Sequence, residues 1–153
     1  MIKFIKKNPA IPQRWIVLTA LACSLTTTQA QTLQAEKAFI KENMEFATKQ
    51  YSLMMQTPAQ GKNGKAIMPH SMRKDGTPSK GSIYLWTAGF FPGTLWYLSN
   101  YTGDKALQDS ALVYTHQMEP AKTFTDNHDI GFMMYCSYGN ANRFAPKDEY
   151  EDI

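Results

Sequence analysis

The stretch Thr125-Asp126-Asn127-His128-Asp129-Ile130 sets two carboxylates and an imidazole at the opening of a run of apolar residues, and here the residue types are fit for chemistry. Asp126 is placed to accept hydrogen bonds from the first free backbone N–H groups. Asp129, three residues on, falls in the first turn, where the helix dipole favours negative charge. The plainer alternative is local: an aspartate in a first turn is a capping group, and a histidine beside it is a satisfied structural side chain. Trp86 is the fourth residue of this kind. It heads a second apolar stretch, where an indole is either a stacking platform for a sugar ring or a core aromatic.

Two apolar helices must position these groups. Ile130, Phe132, Met133, Met134, Tyr135 and Cys136 leave no polar stripe, which predicts a helix walled in by others. Trp86 to Tyr101 is apolar almost all round as well and predicts a second buried helix, with Pro92 at a first turn or a kink. Gly89 and Gly93, four apart, lie on one side of it and allow another backbone or a flat ligand to approach closely. Gly103 can end that helix and Asp104 can cap the next. This next helix runs to Met118 with Leu107, Ala111, Tyr114 and Met118 on one face and Gln108 and Asp109 outward. Glu119-Pro120 then breaks the chain before the turn at Thr123 to Asn127.

Earlier, Leu33, Ile40, Met44, Ala47, Tyr51 and Met54 are spaced by sevens, fours and threes, which predicts a long amphipathic helix over Leu33–Met55. Its charged residues, such as Glu36, Lys41 and Lys49, form ordinary solvated faces. Between Thr57 and Ser82 the pattern gives way to Pro58, Gly61, Gly64, Pro69, Gly76, Pro78 and Gly81, which reads as one long loop. Loops longer than about 12–15 residues tend to be functional or to cover something. His70, Arg73, Lys74 and Asp75 within it are read as surface residues, and no partner His or Cys stands at metal-ligand spacing. The expectation is therefore no metal and no cofactor. Inner-type and outer-type helices alternate, so the fold class is all-α.

The chain has 153 residues, enough for one modest domain. Its first 30 read as a secretory signal peptide: Lys3, Lys6, Lys7 and Arg14 make a positive opening, Trp15 to Leu25 is an apolar run of 11, and Thr28-Gln29-Ala30 offers small residues for cleavage. The run is well short of the roughly 20 residues of a membrane span. A lipid anchor at Cys23 is the lesser option, because Ala20-Leu21-Ala22-Cys23 lacks the usual aliphatic residue three before the cysteine. Taking those four basic residues from 16 leaves 12 against 13 acidic ones, a net charge of −1 over 31–153. With no basic patch interleaved with aromatics, a nucleic-acid role lacks electrostatic support. Cys136 is then the one cysteine of the exported part, read as a small buried hydrophobe of a secreted or periplasmic protein that relies on its core.

Taken together, Trp86-Thr87-Ala88-Gly89-Phe90-Phe91-Pro92-Gly93-Thr94-Leu95-Trp96 and His128-Asp129-Ile130-Gly131-Phe132, separated by the Tyr101-Thr102-Gly103-Asp104 hairpin, make the chain resemble the unsaturated glucuronyl hydrolases, glycoside hydrolase family 88. The resemblance covers residues 33 onward and the amino-terminal part of that family. It implies an (α/α)6 barrel whose inner helices present a cleft at one end. It also implies a reaction: hydration of a 4,5-unsaturated uronic acid at the non-reducing end of oligosaccharides released by polysaccharide lyases. In that family one aspartic acid protonates the enol-ether double bond and directs water to the adjacent carbon, unlike the two-carboxylate displacement of ordinary glycosidases. A second aspartate, matched here by Asp129, holds the sugar and is counted with the active site. Trp86 and His128 match cleft-lining positions.

The resemblance places the acid/base aspartate beyond Ile153, and Asp148 and Asp152 are not put forward for it. Asp148 with Glu151 is a capping-box pattern that announces one more helix. Twelve helices of about 11 residues with connections of about 5 need on the order of 190 residues, against 123 over 31–153. The expectation is an incomplete barrel, the amino-terminal portion of a longer enzyme, with exposed apolar surface and self-association. The alternative from another class is a non-catalytic carbohydrate-binding or scaffolding helical piece. A generic helical repeat would need a fixed period, which the sequence lacks.

Overall fold

A computed structural model describes the backbone at 13–56, 67–150 and 153, and the side chains at 31–56, 68–150 and 153. The chain divides into two compact units, residues 1–43 and 44–153. Helix α1 (Gln13–Met55) crosses the boundary between them. The helix expected from Leu33 therefore extends back to Gln13. The side chains that define the signal-peptide reading, and all of residues 1–12, lie outside the described residues. In the first unit Leu33, Phe39 and Ile40 are exposed, so the apolar face read from the spacing is uncovered there. Among the described residues no helix is long and apolar enough to cross a membrane.

The second unit holds the core. Met44, Ala47, Tyr51 and Met54 from the last turns of α1 pack against it, and the Tyr51 ring stacks on Phe91 at 5.1 Å. Residues 67–82 depart from the expected loop. They form an antiparallel hairpin, β1 (Ile67–Met72) with β2 (Pro78–Ser82). Its turn is built on Asp75-Gly76: Gly76 takes a φ of 81°, and the Asp75 carboxylate accepts from the Thr77 N–H at 2.9 Å and from its hydroxyl at 2.6 Å. Those bonds hold the Asp75 carboxyl below its ordinary pKa. Pro69 and Pro78 disguised the strands in the sequence. A two-stranded sheet has only edges, where a missing N–H is tolerated.

Helix α2 (Phe90–Thr102) ends as expected. Gly103, at φ 70°, returns its N–H to the Ser99 carbonyl at 2.8 Å. Asp104 then caps α3 (Lys105–Gln117) by accepting from Ala106 N–H at 2.8 Å. Leu107, Ala111, Tyr114 and Met118 are buried along one face, as the spacing predicts. The hairpin is locked by Trp96, whose buried indole N–H donates to the Thr115 hydroxyl at 2.9 Å, and by Phe91 edge-on to Tyr114.

A 3₁₀ turn, Glu119–Thr123, leads to the third helical segment. It begins as α4 (Ile130–Met134), loosens into one π-helical turn at Tyr135–Gly139, and closes as α5 (Asn140–Phe144). A π turn breaks the regular ladder of carbonyl acceptors. Side chains help to satisfy those carbonyls: the Ser137 hydroxyl donates to Met133 O at 2.8 Å, and the Asn140 amide to Cys136 O at 2.9 Å. The close approach expected at Gly89 and Gly93 is present. A Cβ on Gly89 would lie 2.4 Å from the Met133 carbonyl oxygen, and one on Gly93 2.5 Å from that of Cys136.

Two expectations need correction. The segments read as buried all round each bury one side only: Phe90, Tyr97 and Tyr101 of α2, together with Phe132 and Tyr135, are exposed, Tyr135 to 75%. Their apolar character exceeds what the neighbouring described helices cover. After α5, the expected additional helix appears as one 3₁₀ turn, Asp148–Tyr150, and residues 151–152 lie outside the described residues.

Candidate functional site

The loop before α2 and the loop before α4 are held together by backbone and amide contacts. Trp86 does not open α2, as expected, but stands in the succession of tight turns that precedes it: Leu85 N–H bonds to Ser82 O, Ala88 N–H to Leu85 O and Phe90 N–H to Thr87 O. Turn geometry lifts the indole off the core, and it is 53% exposed. Among the described residues the indole is thus not packed into the core.

At the other loop the cap is not Asp126. Asn127 forms the turn by accepting the Asp129 N–H on its side-chain oxygen at 2.9 Å. Its amide nitrogen reaches across to the Tyr84 carbonyl at 3.1 Å and lies 3.6 Å from the Met133 sulfur. Asn127 thus ties the Trp86 loop to the Asp129 loop. Sequence reasoning passed over it because an asparagine beside two aspartates reads as one more turn former. Asp126 is exposed, and the turn bond comes from its neighbour Asn127.

Asp129 occupies the residue before α4 and makes no side-chain cap bond, so the local capping reading fails for its carboxylate. Its backbone carbonyl begins the helix by accepting from Met133 N–H at 2.9 Å. The carboxylate is partly exposed at 35%, and its Oδ2 lies 3.5 Å from Nε2 of His128, itself 94% exposed. Such an open pair is loosely held and contributes little to stability. Both groups remain free to turn to a ligand.

Aromatic rings join the two loops. Trp86 meets Phe90 edge-on at 6.0 Å, and Phe90 meets Phe132 edge-on at 5.3 Å. Phe90 and Phe132, four after Trp86 and three after Asp129, are each 43% exposed. This line was hidden in the sequence by the expectation of full burial, although the helical spacing from Trp86 and Asp129 marks both positions. One loop thus carries exposed apolar rings and the loop tied to it a carboxylate and an imidazole, a combination suited to a sugar carrying hydroxyl groups.

A recess of about 150 Å³ abuts this rim, lined by Tyr51, Met54, Pro69, His70, Thr87, Phe90 and Phe91. A larger one of about 310 Å³, lined by residues such as His116, Tyr138 and Tyr150, includes none of Trp86, His128 or Asp129. Among the described residues no group of three or more His, Cys, Asp or Glu is placed to hold a metal ion.

No family model matches the chain. Over 65 residues it is 42% identical to an unsaturated glucuronyl hydrolase of Formosa agariphila, a stretch that is 42% of this chain and 16% of that protein. The crystal structure of an unsaturated glucuronyl hydrolase specific for heparin superposes with a TM-score of 0.63 at 38% identity, covering 74% of this chain and 29% of that one. The chain thus spans less than a third of either relative. Over the matched part, the resemblance read from the two motifs holds in both sequence and fold. The helices are those of an α/α barrel.

Proposed function

We propose, from this kinship with the unsaturated glucuronyl hydrolases, that the chain supplies one wall of a cleft that takes a 4,5-unsaturated uronic acid from the non-reducing end of an oligosaccharide. The observation that carries the reading is the exposed Trp86–Phe90–Phe132 line beside the uncapped Asp129 carboxylate. Trp86 gives the sugar ring a flat apolar face. Asp129 accepts hydrogen bonds from its hydroxyl groups and so fixes the ring, and His128 donates to or accepts from the same ligand according to its protonation.

The reaction is hydration of the enol ether. A proton is added to the double bond, water adds to the adjacent carbon, and the resulting hemiketal opens. Positioning raises the rate because it converts an encounter of sugar, acid and water into a local event. The resemblance assigns the proton donor's part to none of Trp86, His128 and Asp129, so binding is the activity proposed for these three residues. We also propose export to the periplasm or the medium, with residues 1–30 as the signal.

Incubation with an unsaturated uronyl disaccharide tests the reading, with calorimetry for binding and loss of the double bond's ultraviolet absorbance for turnover. Binding is the expected result. Absence of binding refutes the substrate class.

A further inference from the structure

The β1–β2 hairpin, read from sequence as loop, touches the Trp86 turn through one side chain. Pairing runs regularly from Ile67↔Ser82 to Pro69↔Lys80, and then slips, so that Ser71 pairs with Ser79 and His70 is left without a cross-strand partner. An extra residue of this kind bends the strand and re-aims its side chain. Here it aims the imidazole at the helix start: His70 Nδ1 lies 3.1 Å from the Thr87 hydroxyl, seventeen residues along the chain. Thr87 is the neighbour of Trp86.

Other contacts seat the hairpin on the same place. Met68, two residues before His70, is 1% exposed in the core. A Cβ on Gly81 would stand 2.6 Å from the Leu85 side chain and 3.5 Å from that of His70, so the bare backbone at Gly81 lets the hairpin close on the turn. The 150 Å³ recess between Pro69, His70, Thr87 and Phe90 shows that the seating is not filled by apolar packing. On that side a polar contact holds the Trp86 turn, while the Asn127 amide holds Tyr84 from the other.

We infer that His70 is a positioning residue: through Thr87 it braces the turn that presents Trp86, making the hairpin a working part of the sugar-binding rim. The inference rests on the proposed function for its consequence, and on geometry alone for the brace. One of the Thr87 hydroxyl and His70 Nδ1 donates and the other accepts, and an asparagine side chain, with an oxygen and an amide nitrogen, can take either role at a comparable reach.

The chain labelled with 5-fluorotryptophan provides the test, its Trp86 resonance assigned by Trp86→Phe. In His70→Ala and in Thr87→Val the Trp86 fluorine signal should shift or broaden while that of buried Trp96 stays in place. His70→Asn should restore the wild-type signal. Affinity for the unsaturated uronyl disaccharide should fall about fivefold in the first two variants and recover in the third. An unmoved Trp86 signal in either disrupting variant overturns the brace, as does a Trp96 signal that moves along with it. If the wild-type chain binds no disaccharide, the functional reading fails, and the fluorine spectra still decide the brace.

Discussion

Tyr138 shows how one residue's surroundings set its chemistry. Burial, with the nearby charges of Glu119, Tyr150 and Glu149 adding to it, pushes its phenol up to about 12. A folded-state pKa above the unfolded value of 10 means that the native chain holds this proton longer. The associated stability is therefore present below pH 10 and drains away as the pH rises from 10 towards 12. Ultraviolet titration should find a tyrosine that ionises last, removed by Tyr138→Phe, and that variant should lose less stability between pH 10 and 12 than the wild type. Equal alkaline loss in both would contradict the burial account. Cys136 is pushed upward for the same reason, burial of its thiol. The proposed site draws on two kinds of residue. Trp86, His128 and Asp129 announced themselves by type, whereas Asn127, Phe90 and His70 act through contacts with partners far along the chain, which spacing does not reveal.

At the scale of elements, the local signals held at the α2–α3 junction and failed at the start of α4, where neither Asp126 nor Asp129 caps the helix. Gly103 and Asp104 end and begin helices through bonds spanning two to four residues, so their types suffice. The hairpin was missed because two prolines masked its alternation, and at the π turn the carbonyl of Cys136 faces Gly93 of α2, a contact across the packing that spacing does not reveal. The Gly89–Met133 contact gives a prediction. Gly89→Ala forces a Cβ against the Met133 carbonyl, and overpacking of this kind costs about 1–3 kcal/mol. Thermal unfolding should show a clear drop in Tm, while Gly131→Ala, where a Cβ meets nothing within 4 Å, should leave it nearly unchanged. An equal effect at both sites would deny that α2 and α4 meet there.

For the whole molecule, the exposed faces of Phe90, Tyr97, Tyr101, Phe132 and Tyr135 are more apolar than a free surface ordinarily is. We expect concentration-dependent association of this chain in sedimentation velocity, reduced when Tyr135 is changed to Ser. A strictly monomeric chain at high concentration would contradict this. Under the proposed function, Trp86 and Asp129 both contact the bound uronyl sugar. Calorimetric titration with an unsaturated uronyl disaccharide tests it most directly, comparing the wild type with Trp86→Ala and Asp129→Asn. Losses of roughly tenfold or more are expected in each, from a lost ring face and a lost charge-assisted hydrogen bond; affinity unchanged in both variants would remove these two residues from the sugar site.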